Sequence, residues 1–236
     1  MTQTYKRILL KLSGEGLKGD KGFGVSYSVI SSLAEQIKHL VEKGVQICVV
    51  VGGGNFCRGA KEAEKGMNRT TADQIGMLAT VMNSLYLQTA LEETGVQTKV
   101  MSGIEMPKVC EPYIYNNAIK YLAENKVIIF AAGTGNPYFT TDTGAVLRAL
   151  EMHCDIMFKA TQVDGIYDSD PHTNKNARKY LQISHNDYIR QQLKVLDIAA
   201  VSLAKENNLP IAVFAQKDNS SIENAEFGKC DVSIIK

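Results

Sequence analysis

Lys11 stands among apolar residues near the end of one strand-like run, Lys159 stands at the end of another, and Gly52, Gly53 and Gly54 stop a third. A lysine buried in a strand is costly unless its ammonium meets an anion; the alternative is a side chain that snorkels to the surface. Consecutive glycines leave backbone amides open to an anion that a side chain would block, although a tight packing turn also uses them. Arg58 follows four residues after Gly54, and guanidinium is the favoured bidentate partner of phosphate. The run GTGNPYFTTD (133–142) fixes a turn at Asn136-Pro137 and then places Thr140-Thr141 before a helix. The amides and dipole of such a helix start attract anions. Asp142 either serves that dipole or holds lysine ammoniums at a phosphate site, and Asp73 either caps a long helix or meets a ligand. Handling of phosphate is the chemistry these residue types share.

Several other chemistries are excluded. Gly14-Glu15-Gly16-Leu17-Lys18-Gly19 matches G-x-G-x-x-G, but a dinucleotide site also needs a helix opening on those glycines and an acid after the second strand. Here Asp20-Lys21-Gly22-Phe23-Gly24 follows and the second strand ends in glycine. No G-x-x-x-x-G-K-[ST] motif occurs, so a P-loop is also excluded. His39, His153, His172 and His185 form no metal-ligand or nucleophile pattern, and no protein metal site is expected. A net charge of +1 gives no general pull toward nucleic acid. Five scattered cysteines without a C-x-x-C pair point to a reducing compartment, and Lys6-Arg7 leading straight into a strand argues against a leader. Residues 74–91 carry no charge but include Gln74, Thr80, Asn83, Ser84, Gln88 and Thr89. They are expected to form a buried or interface helix rather than a membrane span. The expected location is the cytoplasm.

The elements that must hold these residues alternate. Strand-like runs at 6–12, 45–51, 96–102, 126–132, 155–160 and 210–215 alternate with helical periodicity at 29–41, 71–93, 113–124, 143–153 and 197–207. A polar loop is expected at 161–180 and a last strand at 231–235. Strands apolar on both faces, alternating with helices, predict an α/β sandwich on a mainly parallel sheet. Ligands bind such sheets beyond the carboxyl ends of the strands. Four of those ends carry the chemistry: 13–16, 52–58, 133–142 and 159–170.

The motifs LLKLSGEGL (9–17), VVVGGGNFCRG (49–59), GMLATVMNSL (76–85), AAGTGNPYFTTD (131–142) and FKATQVDGIYDSDP (158–171) resemble, in order and spacing, the bacterial uridylate kinases of the amino-acid-kinase superfamily. The resemblance spans essentially the whole chain. It implies a three-layer α/β/α sandwich in one domain, 1–236, with residues up to about 154 on the acceptor side and 155–236 on the ATP side. It further implies ATP with magnesium as donor, UMP as acceptor, GTP as activator and a homohexamer; UTP, which is product-like and can share the uridine pocket, is expected to inhibit. Lys11, Leu12, Ser13, Gly14, Gly54, Arg58, Thr161, Tyr167 and Asp170 would then face ATP. Gly53, Asp73, Thr134, Gly135, Asn136, Pro137, Tyr138, Phe139, Thr140 and Thr141 would hold UMP. Gly19, Asp20, Lys21, Gly22, Phe23 and Gly24 match a region tied to GTP activation. Cys57 stands where the family often has an aromatic residue, and 214–221 lacks an asparagine and a glycine common there.

The expected activity is transfer of a phosphoryl group from ATP to UMP. Such transfer needs positioning and cations more than covalent chemistry. Lys11 and Lys159 would flank the transferred group, with Arg58 assisting and Asp142 orienting the lysines. No general base is required, since the acceptor is already an anion. Two rivals are a sister kinase acting on a carboxylate and a non-enzymatic uridylate sensor. Thr140-Thr141 and Asp73 favour a nucleotide acceptor, and keeping both lysines favours an enzyme.

Overall fold

The computed structural model describes residues 5–57, 59–171, 173–216, 222, 225 and 232–236. The apolar runs become β1 (Arg7–Leu12), β2 (Gln46–Val51), β3 (Thr98–Ser102), β5 (Val127–Ala131), β6 (Ile156–Thr161) and β10 (Ile211–Ala215). Short strands β4 (Glu111–Pro112), β9 (Gln182–Ile183) and β11 (Ser233–Ile235) complete a nine-stranded sheet in the order β4-β3-β5-β2-β1-β6-β10-β11-β9. Every pairing in it is parallel except β10 with β11.

Alternation along each strand sends side chains to two separate cores. Ile8, Leu10 and Leu12 of β1 pack with α2 (Tyr27–Glu42) and α4 (Arg69–Glu93) on one face. Leu9 packs on the other face with α5 (Tyr115–Ala123), α6 (Thr141–Glu151), α7 (His185–Arg190) and α8 (Ile198–Glu206). Helices on both faces of a parallel sheet bury each strand twice, which is why these strands read as continuous apolar runs. Position 11 falls on the face of α6, in line with Leu9, where the next residue would ordinarily be apolar.

Three further elements lie near the strand ends: α1 (Gly14–Leu17), α3 (Gly59–Glu64) and a hairpin of β7 (Ile166–Tyr167) with β8 (Lys179–Tyr180). The hairpin and α7 were not evident in the sequence; 161–180 reads as a polar loop because each hairpin strand is only two residues long. The one-turn α1 is too short to be the helix a dinucleotide fingerprint requires. Along the chain, strands are added on the β2 side of β1 before β6 is laid on its other side. That reversal is a topological switch point, where the loops diverge and leave a crevice at the carboxyl ends.

Candidate active site

The crevice is organised around one carboxylate and two ammoniums. β1 and β6 are neighbours in register, with Lys11 opposite Lys159, so both side chains leave the same face of the sheet. Asp142, in the first turn of α6, is set between them. Lys11 Nζ lies 2.8 Å from Asp142 Oδ1, an ion contact off the direction of an aligned hydrogen bond. Lys159 Nζ donates to Asp142 Oδ2 and, at 2.6 Å, to Val195 O. All three side chains are under 10% exposed as residues.

Two adjacent buried cations repel, and their charges are tolerated because Asp142 is shared. Burial by itself would push the Asp142 carboxyl up, but Lys11 and then Lys159 hold it down at about 2. For Lys159, burial and the Lys11 charge lower the ammonium to about 8 against the partial support of Asp142. The pair thus has an anion fixed below it and carries an excess of one positive charge toward the crevice.

The start of α6 is tied down from behind. Thr140 is the N-cap, accepting from the amides of Asp142 and Thr143 at 3.1 and 3.3 Å. Its hydroxyl donates to Asp197 Oδ2, while Thr143 Oγ1 donates to Asp197 Oδ1 at 2.9 Å. Asp197 in turn caps α8. Tyr188, fully buried, hydrogen-bonds the backbone of Leu196 through its hydroxyl, which accepts from N and donates to O. These partners carry no motif; Asp197 is visible in the sequence only as a helix cap.

A cleft of about 350 Å3 opens beside Lys11, lined on the β1 and β2 side by Lys11, Ser13, Gly14, Gly53 and Gly54, while Lys159 lies outside its lining. The opposite walls include Asp73, Thr134, Asn136, Phe139, Thr140 and Thr141. Lys11, Ser13, Gly14 and Gly54, expected to face ATP, therefore share one cleft with residues expected to hold UMP. The backbone approach is close: a Cβ on Gly14 would sit 2.4 Å from Gly52 O. Leu12 points into the opposite core, and its carbonyl accepts the Gly52 amide at 3.0 Å. Arg58 lies outside the described residues, as do 217–221 of the divergent segment.

The loop after β5 is strained and held by α4. Ala132 and Tyr138 have φ of 60° and 71°, a left-handed conformation that costs a non-glycine residue roughly 1–2 kcal/mol. Thr80 Oγ1 accepts the Ala132 amide and Asp73 Oδ2 accepts the Tyr138 amide, both at 2.8 Å. Gly135 packs on Gly103, and the Tyr138 ring is exposed beneath the Arg69 guanidinium. The cap of α4 is Asn68, which accepts the Thr71 amide at 3.2 Å. Asp73 is thus not the cap; it binds Arg69 Nε at 2.8 Å and orders the 133–139 loop.

A second cleft, of about 590 Å3, lies across β6. Thr161, Tyr167 and Asp170 gather there with Gly165, Leu193 and Val195. Tyr167 donates to Asp164 Oδ1 at 2.8 Å. Val195 joins the two regions, lining this cleft while its carbonyl holds Lys159. The turn 19–24 lines neither cleft; Gly24 is bonded to Asn55 instead, through its amide to Asn55 O and its carbonyl to Asn55 Nδ2. Among the described residues no three or more His, Cys, Asp or Glu side chains converge as metal ligands, and no helix is long and apolar enough to cross a membrane.

One cleft lined by Lys11, a helix N-terminus and open glycine amides, and a second lined by Val195, whose carbonyl holds Lys159, can take two phosphorylated ligands on either side of the cation pair. Comparison with known proteins agrees with that geometry. The amino acid kinase family model matches residues 6–215. The uridylate kinase of Rickettsia prowazekii is 54% identical over 92% of this chain and 90% of its own length. That of Rickettsia felis is 54% identical over 98% of this chain and 96% of its own. Among solved structures, the UMP kinase of Bacillus anthracis superposes with a TM-score of 0.93 at 38% identity, covering 98% of this chain and 96% of its own. The UMP kinase of Ureaplasma parvum gives 0.93 at 39% identity and covers both chains fully.

Proposed function

Because the chain belongs to the amino acid kinase family, we propose that it transfers the γ-phosphoryl group of ATP to UMP, giving UDP and ADP. The observation that carries this is the Lys11–Asp142–Lys159 bridge, with Lys11 on the wall of the first cleft and Lys159 held by Val195 of the second. In phosphoryl transfer, charge spreads over the equatorial oxygens of a loose transition state. Two ammoniums held rigidly by strands and by a shared carboxylate meet that charge without reorganising. UMP occupies the first cleft, its phosphate against Gly53 and the Thr140-Thr141 start of α6. Thr161, Tyr167 and Asp170 take the ATP base and sugar, and the donor phosphates run past Ser13, Gly14 and Gly54 toward Lys11. Arg58 is assigned to the phosphates from its sequence position.

Magnesium fits this site as a partner of the nucleotide. Asp142, the carboxylate at the centre, is already committed to two ammoniums, so donor phosphates and water are left as ligands, the usual arrangement for this ion. When bound it neutralises donor phosphate charge. The protein's own groups position and orient the acceptor.

A coupled ADP-release assay over nucleoside monophosphates and acidic amino acids tests the assignment. UMP should be the one good acceptor; faster turnover of CMP or of an amino acid would contradict it, and binding of UMP with no ADP release would favour a sensor. UTP, which carries the same uridine, competes with UMP. GTP acts as activator through the 19–24 turn, whose bonds to Asn55 reach the glycine loop. The enzyme works in the cytoplasm.

The active form is a homohexamer. One face of α4 is buried, while Ile75, Leu78, Met82 and Tyr86 form an exposed apolar stripe at helical spacing, Leu78 and Tyr86 each 51% exposed. A stripe of this kind asks for a partner. Light scattering at micromolar concentration should give a multiple of the 25.9 kDa protomer; a monomer would reject the assembly.

A further inference from the structure

We propose that the buried amide pair Asn55–Asn83 positions the Gly53 amide for phosphate, and that Asn83 is a positioning residue for the transfer reaction. The inference rests on the nucleotide reading above and gives a role to Asn55 and Asn83, two residues of the quoted motifs that the sequence left without one. Asn83 is fully buried in the uncharged stretch of α4, and Asn55 is 4% exposed in the turn after β2. The two amides bond reciprocally, Asn83 Nδ2 to Asn55 Oδ1 at 2.7 Å and Asn55 Nδ2 to Asn83 Oδ1 at 3.0 Å. Asn83 Nδ2 also donates to Gly52 O at 2.7 Å.

That last bond sets the direction of a peptide. In a planar trans peptide the C=O and the following N–H point opposite ways. Holding Gly52 O toward α4 therefore turns the Gly53 N–H away from α4. Gly53 O accepts from the amides of Phe56 and Cys57, both at 3.0 Å, so the Gly54 N–H is directed away from the turn in the same manner. Neither amide has an acceptor among the described residues, and both glycines line the first cleft. Without Asn83 the Gly52–Gly53 peptide has little to resist rotation, because glycine permits conformations on both sides of φ = 0. Two buried side-chain amides would be a costly choice for packing alone. Their bonds converge on the backbone of the glycine loop.

The test separates phosphate recognition from general damage by comparing UMP with uridine, which lacks the phosphate. Isothermal titration is run on the full-length protein and on Asn83→Leu, which matches asparagine in size but offers no donor. UMP affinity should fall by roughly tenfold or more, the scale of lost hydrogen bonds to a charged group, with uridine affinity unchanged. Equal losses for both ligands, or no loss for either, would overturn the inference. Should Asn83→Leu not fold, Asn55→Ala carries the same comparison: it leaves the Asn83–Gly52 bond and should show a smaller loss, again for UMP alone. A loss shared with uridine, or none, overturns the inference there too. Wild-type protein that binds UMP no better than uridine would instead remove the nucleotide reading itself.

Discussion

Lys11→Ala is expected to lower turnover by roughly a hundredfold or more, the scale of losing one preorganised charge-stabilising donor. Three observations set this expectation. The ammonium is on a central strand, paired in register on both sides with β2 and β6. It is ion-paired to a carboxylate that is itself fixed at a capped helix start. Its place at the wall of the first cleft lets it reach a transferring phosphoryl group. An interaction that strengthens as charge spreads lowers the barrier rather than the substrate requirement. Truncation relieves the repulsion with Lys159 but takes an ion partner from Asp142, which keeps Lys159, so Lys11→Ala should still fold with a melting temperature within a few degrees of the parent's. A variant that stays folded and keeps more than a tenth of the parent's turnover would show that Lys11 is a binding residue only.

Asp142→Asn is expected to be comparably damaging, for an electrostatic reason that pH reveals. The carboxylate supports the charge of Lys159, whose ammonium burial and Lys11 have already brought down to about 8. A cation is needed at the phosphoryl group, so kcat/KM should fall as pH rises through about 8, since that ratio reports groups on the free enzyme. Removing the carboxylate removes its support, and the alkaline limb should move to lower pH along with a turnover loss of roughly a hundredfold. Stability runs the other way. Lys159 has a folded-state value below its ordinary 10.5, so the unfolded chain binds more protons between the two values and this group's contribution to stability rises with pH there. Asp142, held at about 2 against an ordinary 3.8, contributes stability that is present above 3.8 and lost as pH falls through 2. Activity that falls above pH 8 while the melting temperature does not fall with it would mark the loss as chemical. An alkaline limb in the same place for Asp142→Asn and the parent would remove this role.

Much of the scaffold is legible in the sequence because its strands are buried on both faces. ILL in β1 and VQICVVV at β2 leave no alternating pattern to confuse with a solvent-facing sheet, and Gly44, with φ of 83°, ends α2 as its position after Val41 implies. The loops at the strand ends are legible too, since glycine runs and Asn-Pro turns have few other uses. The meeting of Lys11 with Lys159 is not. It depends on β1 pairing with β6, 148 residues along the chain from Lys11 to Lys159, and no local pattern encodes which strand lies beside which. The supporting residues are harder still. Thr80, Asn83 and Asp197 read as ordinary polar residues of helices or caps, and their roles come from carbonyls, amides and hydroxyls delivered by other elements. The capping reading of Asp73 fails for a related reason: Asn68, five residues earlier, is equally suited to cap and lies at the boundary the helix adopts.

The central claim is that the lysine pair acts on the transferring group while the α4 side of the first cleft holds the acceptor. Steady-state kinetics of Lys11→Ala and Asp73→Ala, with ATP and UMP varied independently in each, test it most directly. The account predicts that Lys11→Ala loses turnover with a half-saturating UMP concentration near that of the parent. It predicts the reverse for Asp73→Ala, because Asp73 holds the 133–139 loop and touches no transferring atom: a raised UMP requirement and turnover closer to normal. Lys11→Ala with normal turnover and only a raised UMP requirement would contradict it.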